Sequence, residues 1–229
     1  MRDKAKNDKR KALFGLLWLG IILWISLFVP AGTVDFWQAW IYLFLFCGSS
    51  LMITLFLMKR DMELLKRRLN AGAAAEKEKS QKIIQLLASF SFIGILLTPG
   101  FDHRFKWSNV PYYLVITGEI FVVLGFYIVF LVFKENSYTS ATIEIAENQK
   151  VISTGPYAVV RHPMYSGALL MLVFTPLALG SYWDFIFSIL IFIVIVWRLL
   201  DEEKFLTKNL PGYEAYCTKT RFRLVPAIW

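Results

Sequence analysis

One short polar stretch in an apolar chain concentrates side chains that bind charged ligands. Residues 154–167 read TGPYAVVRHPMYSG, which places Arg161, His162 and Tyr165 close together. Pro163 suits the first position of a helix, where its missing N–H costs nothing. A helix that begins there leaves backbone N–H groups at the positive end of its dipole, and Arg161 adds a planar fork for a carboxylate. The stretch therefore predicts an anion site at a helix start.

A second polar group follows about forty residues later, at the end of the last apolar segment. It consists of Arg198, Glu202 and Glu203. The apolar segments 164–179 and 183–200 are separated only by Gly-Ser-Tyr, which predicts a tight helical hairpin. Both polar groups would then meet at one membrane face. A ligand with an anionic end and a hydroxylated or cationic part would fit between them.

Each of these residues also has an ordinary structural explanation. Arg161 could anchor to a lipid phosphate, and His162 could cap a helix. Arg198 and Glu202 lie four residues apart and could form an ion pair within one helix, although in the less favourable order. Glu203 could be a solvated helix end. The fact that all of them fall on one hairpin favours a ligand site.

Several familiar sites of soluble enzymes are excluded by their missing motifs. The chain contains no GxGxxG turn, no GxxxxGK[ST] loop and no GxSxG elbow. It has two histidines, His103 and His162, and neither has a cysteine nearby. We therefore expect no metal site.

The elements that position the polar groups are predicted to be membrane helices. Of the 229 residues, 57% are hydrophobic and 18% are charged, against about 25% charged in soluble domains. About six hydrophobic segments are present, at 13–29, 37–58, 83–98, 112–133, 164–179 and 183–200. The expected class is an all-α integral membrane protein that ends in a C-terminal tail. Segment 164–179 would rise only about 24 Å, so whether it crosses completely stays open.

The basic residues predict the orientation. If the segments alternate across the membrane, 23 of the 25 Lys and Arg residues lie on one side. Basic residues mark the cytoplasmic side, so both termini and the 154–167 stretch are predicted to be cytoplasmic. Contact with anionic membrane lipid accounts for the net charge of +8, and nucleic acid is not needed to explain it.

Two further cytoplasmic stretches have patterns of their own. Within 59–82, Met62, Leu65 and Leu69 recur at helical spacing, which predicts an amphipathic helix on the membrane surface that serves mainly as an anchor. Residues 142–153 contain two short alternating runs around Ala-Glu-Asn-Gln, which predicts a small β-hairpin.

In combination, these motifs resemble a known family. GPYAVVRHPMYSG, a helical hairpin, a Glu-Glu pair and a tail with Tyr213, Tyr216, Arg223 and Pro226 resemble the isoprenylcysteine carboxyl methyltransferase family, which is related to phospholipid methyltransferases. The resemblance is strongest over 134–229 and includes Asn136. It implies a cofactor-binding core there, preceded by helices at 1–133 that shape the acceptor site, within one continuous membrane domain.

The resemblance implies an integral membrane enzyme that uses S-adenosylmethionine. The cofactor-binding residues are then expected to be Gly155, Tyr157, Arg161, His162, Tyr165, Gly167, Glu202 and Glu203. Arg198 and Glu203 are the expected catalytic residues: Arg198 would orient an acceptor carboxylate, and Glu203 would serve as base if the acceptor is an amine.

The identity of the methyl acceptor stays open at this stage. Carboxyl O-methylation of an isoprenylcysteine-like substrate is the first reading, and N-methylation of a phospholipid or other amine is the alternative. A sterol-type reductase that uses NADPH shares the architecture, but Met164-Tyr165-Ser166-Gly167 lacks its Asn-Tyr pair. A scaffold or transporter would carry charges within its spans, and these spans are almost free of them. The oligomeric state is not predicted.

Overall fold

All regular secondary structure in the part of the chain that the structure describes is helical. The computed structural model describes residues 2–69, 79–146 and 148–229. Within these ranges lie eight α-helices and a short 3-10 turn, Gly155–Ala158. The helices are α1 Arg2–Ala31, α2 Trp37–Arg60, α3 Met62–Leu69, α4 Lys79–Phe105, α5 Tyr112–Glu135, α6 Pro163–Ala178, α7 Phe185–Asn209 and α8 Tyr213–Lys219. The predicted all-α class is confirmed for these residues.

Four helices are long and apolar enough to cross a membrane, namely α1 from Asn7 to Ala31, α2, α4 and α5. Their outer faces expose large apolar side chains, such as Phe44 at 78% and Met52 at 74%. An apolar exterior of this kind is stable in lipid, whose tails are as apolar as leucine. The helices therefore fit an integral membrane protein, as predicted.

The predicted count of six membrane segments is not supported, although all six are helical. α6 has 16 residues and rises about 24 Å, which is less than the roughly 30 Å of hydrocarbon in a bilayer. α7 has 25 residues, but its second half carries Arg198, Asp201, Glu202 and Glu203. Among the described helices, α6 and α7 thus fall short of the length and composition of a span.

Glycines allow α5 and α6 to pack at very short range. A Cβ added to Gly125 would lie 2.6 Å from the carbonyl oxygen of Gly167, and one added to Gly118 would lie 2.4 Å from the backbone nitrogen of Ala178. No side chain fits at such distances, so the two backbones can approach only at glycine. This contact seats α6 directly on α5.

α6 and α7 form the predicted helical hairpin. Gly180 adopts a φ of +72° in the turn, where a residue with a side chain would be strained. The Ser188 hydroxyl donates to the Leu172 carbonyl at 2.9 Å, and the Tyr165 hydroxyl reaches Glu202 at the far end of the pair. The two polar groups of the sequence therefore meet at one end of the hairpin.

The predicted β-hairpin over 142–153 is wrong. The described residues of this stretch form no strand, and residue 147, in the predicted turn, lies outside them. The connecting loop is described at residues 136–146 and 148–152. Three carbonyls just before residue 142 are bound by arginines: Ser137 by Arg67, Ser140 by Arg68 and Ala141 by Arg198. These guanidinium groups hold the start of the loop against α3 and α7.

The 59–82 segment contains α3, which packs onto the bundle. Leu64 and Leu65 are buried and belong to a core cluster with Leu57 and Phe133. Leu69, predicted to lie on the same face as Met62 and Leu65, is 43% exposed. Residues 70–78 of the segment lie outside the described ranges.

Candidate active site

The start of α6 is held by the C-terminal tail. After α8, residues 220–224 run beside the chain that leads into α6. Three hydrogen bonds join them: Arg161 N–H to Phe222 O at 2.8 Å, His162 N–H to Arg223 O at 3.0 Å, and Ser166 Oγ–H to Leu224 O at 2.7 Å. Two of the backbone donors at the predicted anion site are therefore already satisfied by the protein.

Glu203 is the centre of a mostly buried charged cluster, which we call the Glu203 cluster and which contains Arg161, His162, Glu203 and Arg223. The Glu203 side chain is 12% exposed. Its Oε1 lies 2.6 Å from Arg161 Nε and 3.2 Å from His162 Nε2. Its Oε2 accepts from Arg223 Nε at 2.8 Å. The cluster thus joins α7 to the start of α6 and to the tail.

These contacts keep Glu203 ionised. Burial alone would raise the pKa of this carboxyl, but hydrogen bonds from His162, Arg161 and Arg223 outweigh burial and lower the pKa to about 2. A carboxylate with so low a pKa is a poor proton acceptor at neutral pH.

Arg161 uses its guanidinium to bind protein groups on two sides. Besides Glu203, it donates through Nη1 to the carbonyls of Thr220 and Arg221, at 3.1 and 2.9 Å. The side chain is buried, with 8% exposure. In this structure it ties the tail to α7.

A second network surrounds Tyr165, on the first turn of α6. The Tyr165 hydroxyl donates to Glu202 Oε2 at 2.5 Å and accepts from Arg198 Nε at 3.1 Å. Arg198 Nη1 also reaches Gln81 Oε1 at 3.1 Å, and Gln81 Nε2 donates to Asp201 at 2.9 Å. The network therefore connects α4, α6 and α7. The three consecutive acids of α7 each have a hydrogen-bond partner.

The remaining predicted site residues occupy separate positions. The Tyr157 hydroxyl accepts from Asn136 Nδ2 at 2.9 Å, and burial raises the pKa of this phenol. Gly155 has a φ of +56° and lies beside the Glu135 carboxylate. Gly167 lies at the close contact with α5. Whether these residues touch a cofactor stays a prediction.

A cavity of about 500 Å³ lies between α4, α5, α6, α7 and the connecting loop. One part of its wall is polar and is formed by Tyr157, Arg161, His162, Tyr165, Arg198 and Glu202. Another part is apolar and includes Ala88, Val129, Ala168, Met171, Ile191 and Ile195. Six of the predicted residues therefore line one cavity. Gly155, Gly167 and Glu203 are outside its lining and support it.

Sequence reasoning missed Arg68, which also lines the cavity. It belongs to the Lys-Arg-Arg run of α3, a segment whose pattern predicts a membrane anchor. A signal was present, because Arg68 lies four residues after Leu64 and three after Leu65, on the helix face that is buried. Arg223 was noted only as part of the resemblance, and its contact with Glu203 could not be read from spacing.

Two comparisons with known proteins find similarity to methyltransferases. Residues 113–211, from α5 into the turn before α8, match the phospholipid methyltransferase family model. The chain is also 29% identical over 126 residues to protein-S-isoprenylcysteine O-methyltransferase B of Arabidopsis thaliana. That alignment covers 54% of this chain and 59% of the relative. Both matches are to methyltransferases, and they confirm the resemblance that the sequence motifs predict.

Proposed function

We propose that the protein is a membrane methyltransferase that uses S-adenosylmethionine and acts on a lipophilic acceptor. The first candidate reaction is carboxyl O-methylation of an isoprenylcysteine-like substrate at the cytoplasmic membrane face. The observation that supports this proposal best is the cavity, because it joins a polar wall made of the predicted motif residues to an apolar wall within the helix bundle. The positions of 23 of the 25 basic residues support the cytoplasmic orientation.

The cavity suits the methyl donor in volume and in chemistry. Small-molecule sites in proteins enclose about 300–1,000 Å³, and this one encloses about 500 Å³. Glu202 offers carboxylate oxygens to hydroxyl or amino groups, and Tyr157 and Tyr165 offer ring faces. When bound, S-adenosylmethionine supplies an activated methyl group.

The Glu203 cluster is proposed to position the site. Glu203 is fully hydrogen-bonded and lies outside the cavity lining, so we assign it the task of holding His162 and Arg161 at the start of α6. This proposal replaces the catalytic role expected from the sequence. His162 and Tyr165 then face the cavity from a fixed helix end.

Arg198 is the proposed acceptor-orienting residue. It lines the cavity, and its guanidinium is held by the Tyr165 hydroxyl, the Gln81 side chain and the Ala141 carbonyl. A carboxylate acceptor is itself a nucleophile and needs no general base. Catalysis would then depend on alignment and on exclusion of water, and the apolar wall would take the lipid chain of the acceptor.

N-methylation of a phospholipid amine is a second candidate, favoured by the family match over 113–211. An amine must lose a proton, and Glu202, which lines the cavity together with Glu144, is the proposed base. The Tyr165 hydroxyl already donates to it.

Ligand binding tests the proposed activity directly. The purified protein in detergent is titrated with S-adenosylhomocysteine and, separately, with NADPH while its melting temperature is followed. A ligand that binds only the folded state raises this temperature, so S-adenosylhomocysteine should raise it and NADPH should not. The reverse result would reject the methyltransferase and favour a reductase.

The acceptor is tested with a radiolabelled methyl donor. N-acetyl-S-farnesylcysteine and phosphatidylethanolamine are supplied in parallel, and the products are treated with base. A methyl ester releases volatile methanol under base, whereas an N-methyl group stays attached. Base-labile product from the farnesyl compound supports O-methylation, and base-stable product from the phospholipid supports the second candidate.

A further inference from the structure

Arg68 is a cationic side chain in the cavity wall for which the proposed function has no task. It projects from α3, donates through Nη1 to the Ser140 carbonyl at 2.8 Å, and its Cζ lies 5.4 Å from the centre of the Phe133 ring. It is half-buried and lines the same cavity as Tyr165 and Arg198.

Arg161, in the cavity wall, and Arg223, in the tail, use their charge differently from Arg68. Arg161 and Arg223 both bind the Glu203 carboxylate, at 2.6 and 2.8 Å. Arg68 forms no such pair: across the described ranges, no carboxylate lies within 4.0 Å of it. Its protein partners are a neutral carbonyl and an aromatic ring.

A guanidinium in this position is incompletely compensated. Removing a charge from water is costly unless an opposite charge or several hydrogen bonds replace the solvent. One carbonyl and one cation–π contact replace only part of the hydration that the guanidinium loses. Accordingly, burial lowers the pKa of Arg68 from its usual range. The unused N–H donors of such a fork match a carboxylate in geometry.

We propose that Arg68 binds the carboxylate of a ligand in the cavity. The inference rests on the proposed function, which offers two sources of that group: the amino-acid carboxylate of the methyl donor and the carboxylate of the acceptor. It moves the predicted anion site away from the start of α6, where Arg161 is already committed to Glu203 and to two tail carbonyls.

Arg67 provides a matched control. It neighbours Arg68, carries the same side chain and donates to the Ser137 carbonyl of the same loop, but it does not line the cavity. If Arg68 only fastened the connecting loop, Arg67→Gln and Arg68→Gln would have similar effects. A ligand contact predicts an effect of Arg68→Gln alone.

The donor arm uses S-adenosylhomocysteine and its decarboxylated analogue, with dissociation constants measured by calorimetry. If Arg68 binds the donor carboxylate, Arg68→Gln should weaken S-adenosylhomocysteine binding roughly 10- to 100-fold and leave the analogue within about 3-fold. Arg68→Lys, which keeps the charge but loses the fork, should be intermediate. Arg67→Gln should bind both ligands like the wild type.

The acceptor arm uses N-acetyl-S-farnesylcysteine as methyl acceptor and its carboxamide as competitor. If Arg68 binds the acceptor carboxylate, Arg68→Gln should raise KM for the acid roughly 10- to 100-fold, leave inhibition by the carboxamide unchanged, and leave donor binding unchanged.

The two arms also separate this inference from the proposed function. If wild-type protein binds S-adenosylhomocysteine but Arg68→Gln matches wild type in both arms, Arg68 binds no ligand carboxylate and the inference is overturned. Equal losses in Arg67→Gln and Arg68→Gln would likewise overturn it, in favour of loop fastening. If wild-type protein binds no S-adenosylhomocysteine, the proposed function itself fails.

Discussion

Glu203, near the end of α7, and Glu119, within α5, are both buried carboxylic acids with very different surroundings. Glu203 receives hydrogen bonds from two guanidinium groups and an imidazole. Glu119 is 3% exposed, and neither of its carboxyl oxygens has a hydrogen-bond partner within the described part of the chain. Asp184, before α7, is 0% exposed, and among the described residues its carboxyl oxygens likewise have no hydrogen-bond partner.

The comparison shows that the hydrogen-bonded charged groups of this pair of sites lie beside the cavity and not within α5. The Glu203 cluster joins three parts of the chain, α6, α7 and the tail, next to the cavity. Glu119 joins none of them through a hydrogen bond. A buried acid without a partner adds no specific contact, whereas a buried acid with several cationic partners is costly to disturb.

Replacing Glu203 should have the largest effect. Glu203→Gln removes the negative charge but leaves the Arg161 and Arg223 guanidinium groups in place. We expect a loss of about 3–5 kcal/mol in the free energy of unfolding, together with weaker S-adenosylhomocysteine binding. Unfolding in mixed micelles measures the first and calorimetry the second. A loss below about 1 kcal/mol would mean that the cluster does not stabilise the fold.

Lowering the pH should reduce the free energy of unfolding almost as much as Glu203→Gln does. The pKa of Glu203 is about 2 in the folded protein, against an ordinary value of 4.5. Because the folded pKa is lowered, the stabilisation is complete above pH 4.5 and disappears as the pH falls towards 2. The loss amounts to about 3 kcal/mol. The free energy of unfolding of the wild type should therefore approach that of Glu203→Gln in this range, and parallel curves would contradict the prediction.

The same substitution at Glu119 should have the smallest effect. Glu119→Gln keeps the size of the side chain and removes no hydrogen bond found in the structure. We expect a change within about 1 kcal/mol in the free energy of unfolding and unaltered S-adenosylhomocysteine binding. A loss comparable to that of Glu203→Gln would show that Glu119 has a partner of its own and would break the contrast.

The local sequence pattern was enough to predict the helices, because long apolar segments are typical of membrane helices. It was enough for the hairpin of α6 and α7 as well, since the three residues between the two apolar segments leave no room for another element. It failed at 142–153, where an alternating pattern favours strands only if a partner strand is present. Here Arg67, Arg68 and Arg198 bind the neighbouring carbonyls instead, and none of them is close to the loop in sequence.

The candidate site was likewise predictable from the sequence only in part. Residue types and spacing along the chain brought Arg161, His162, Tyr165, Arg198 and Glu202 together at one end of a hairpin, because a helical hairpin must bring its two ends to the same face. They also carried the resemblance to methyltransferases, since the motifs are local. Only the tertiary structure decided which of these groups face the cavity and which bind one another. That choice depends on contacts between residues about 20 to 130 positions apart, such as Arg223 with Glu203 and Arg198 with Gln81, and no local pattern encodes them.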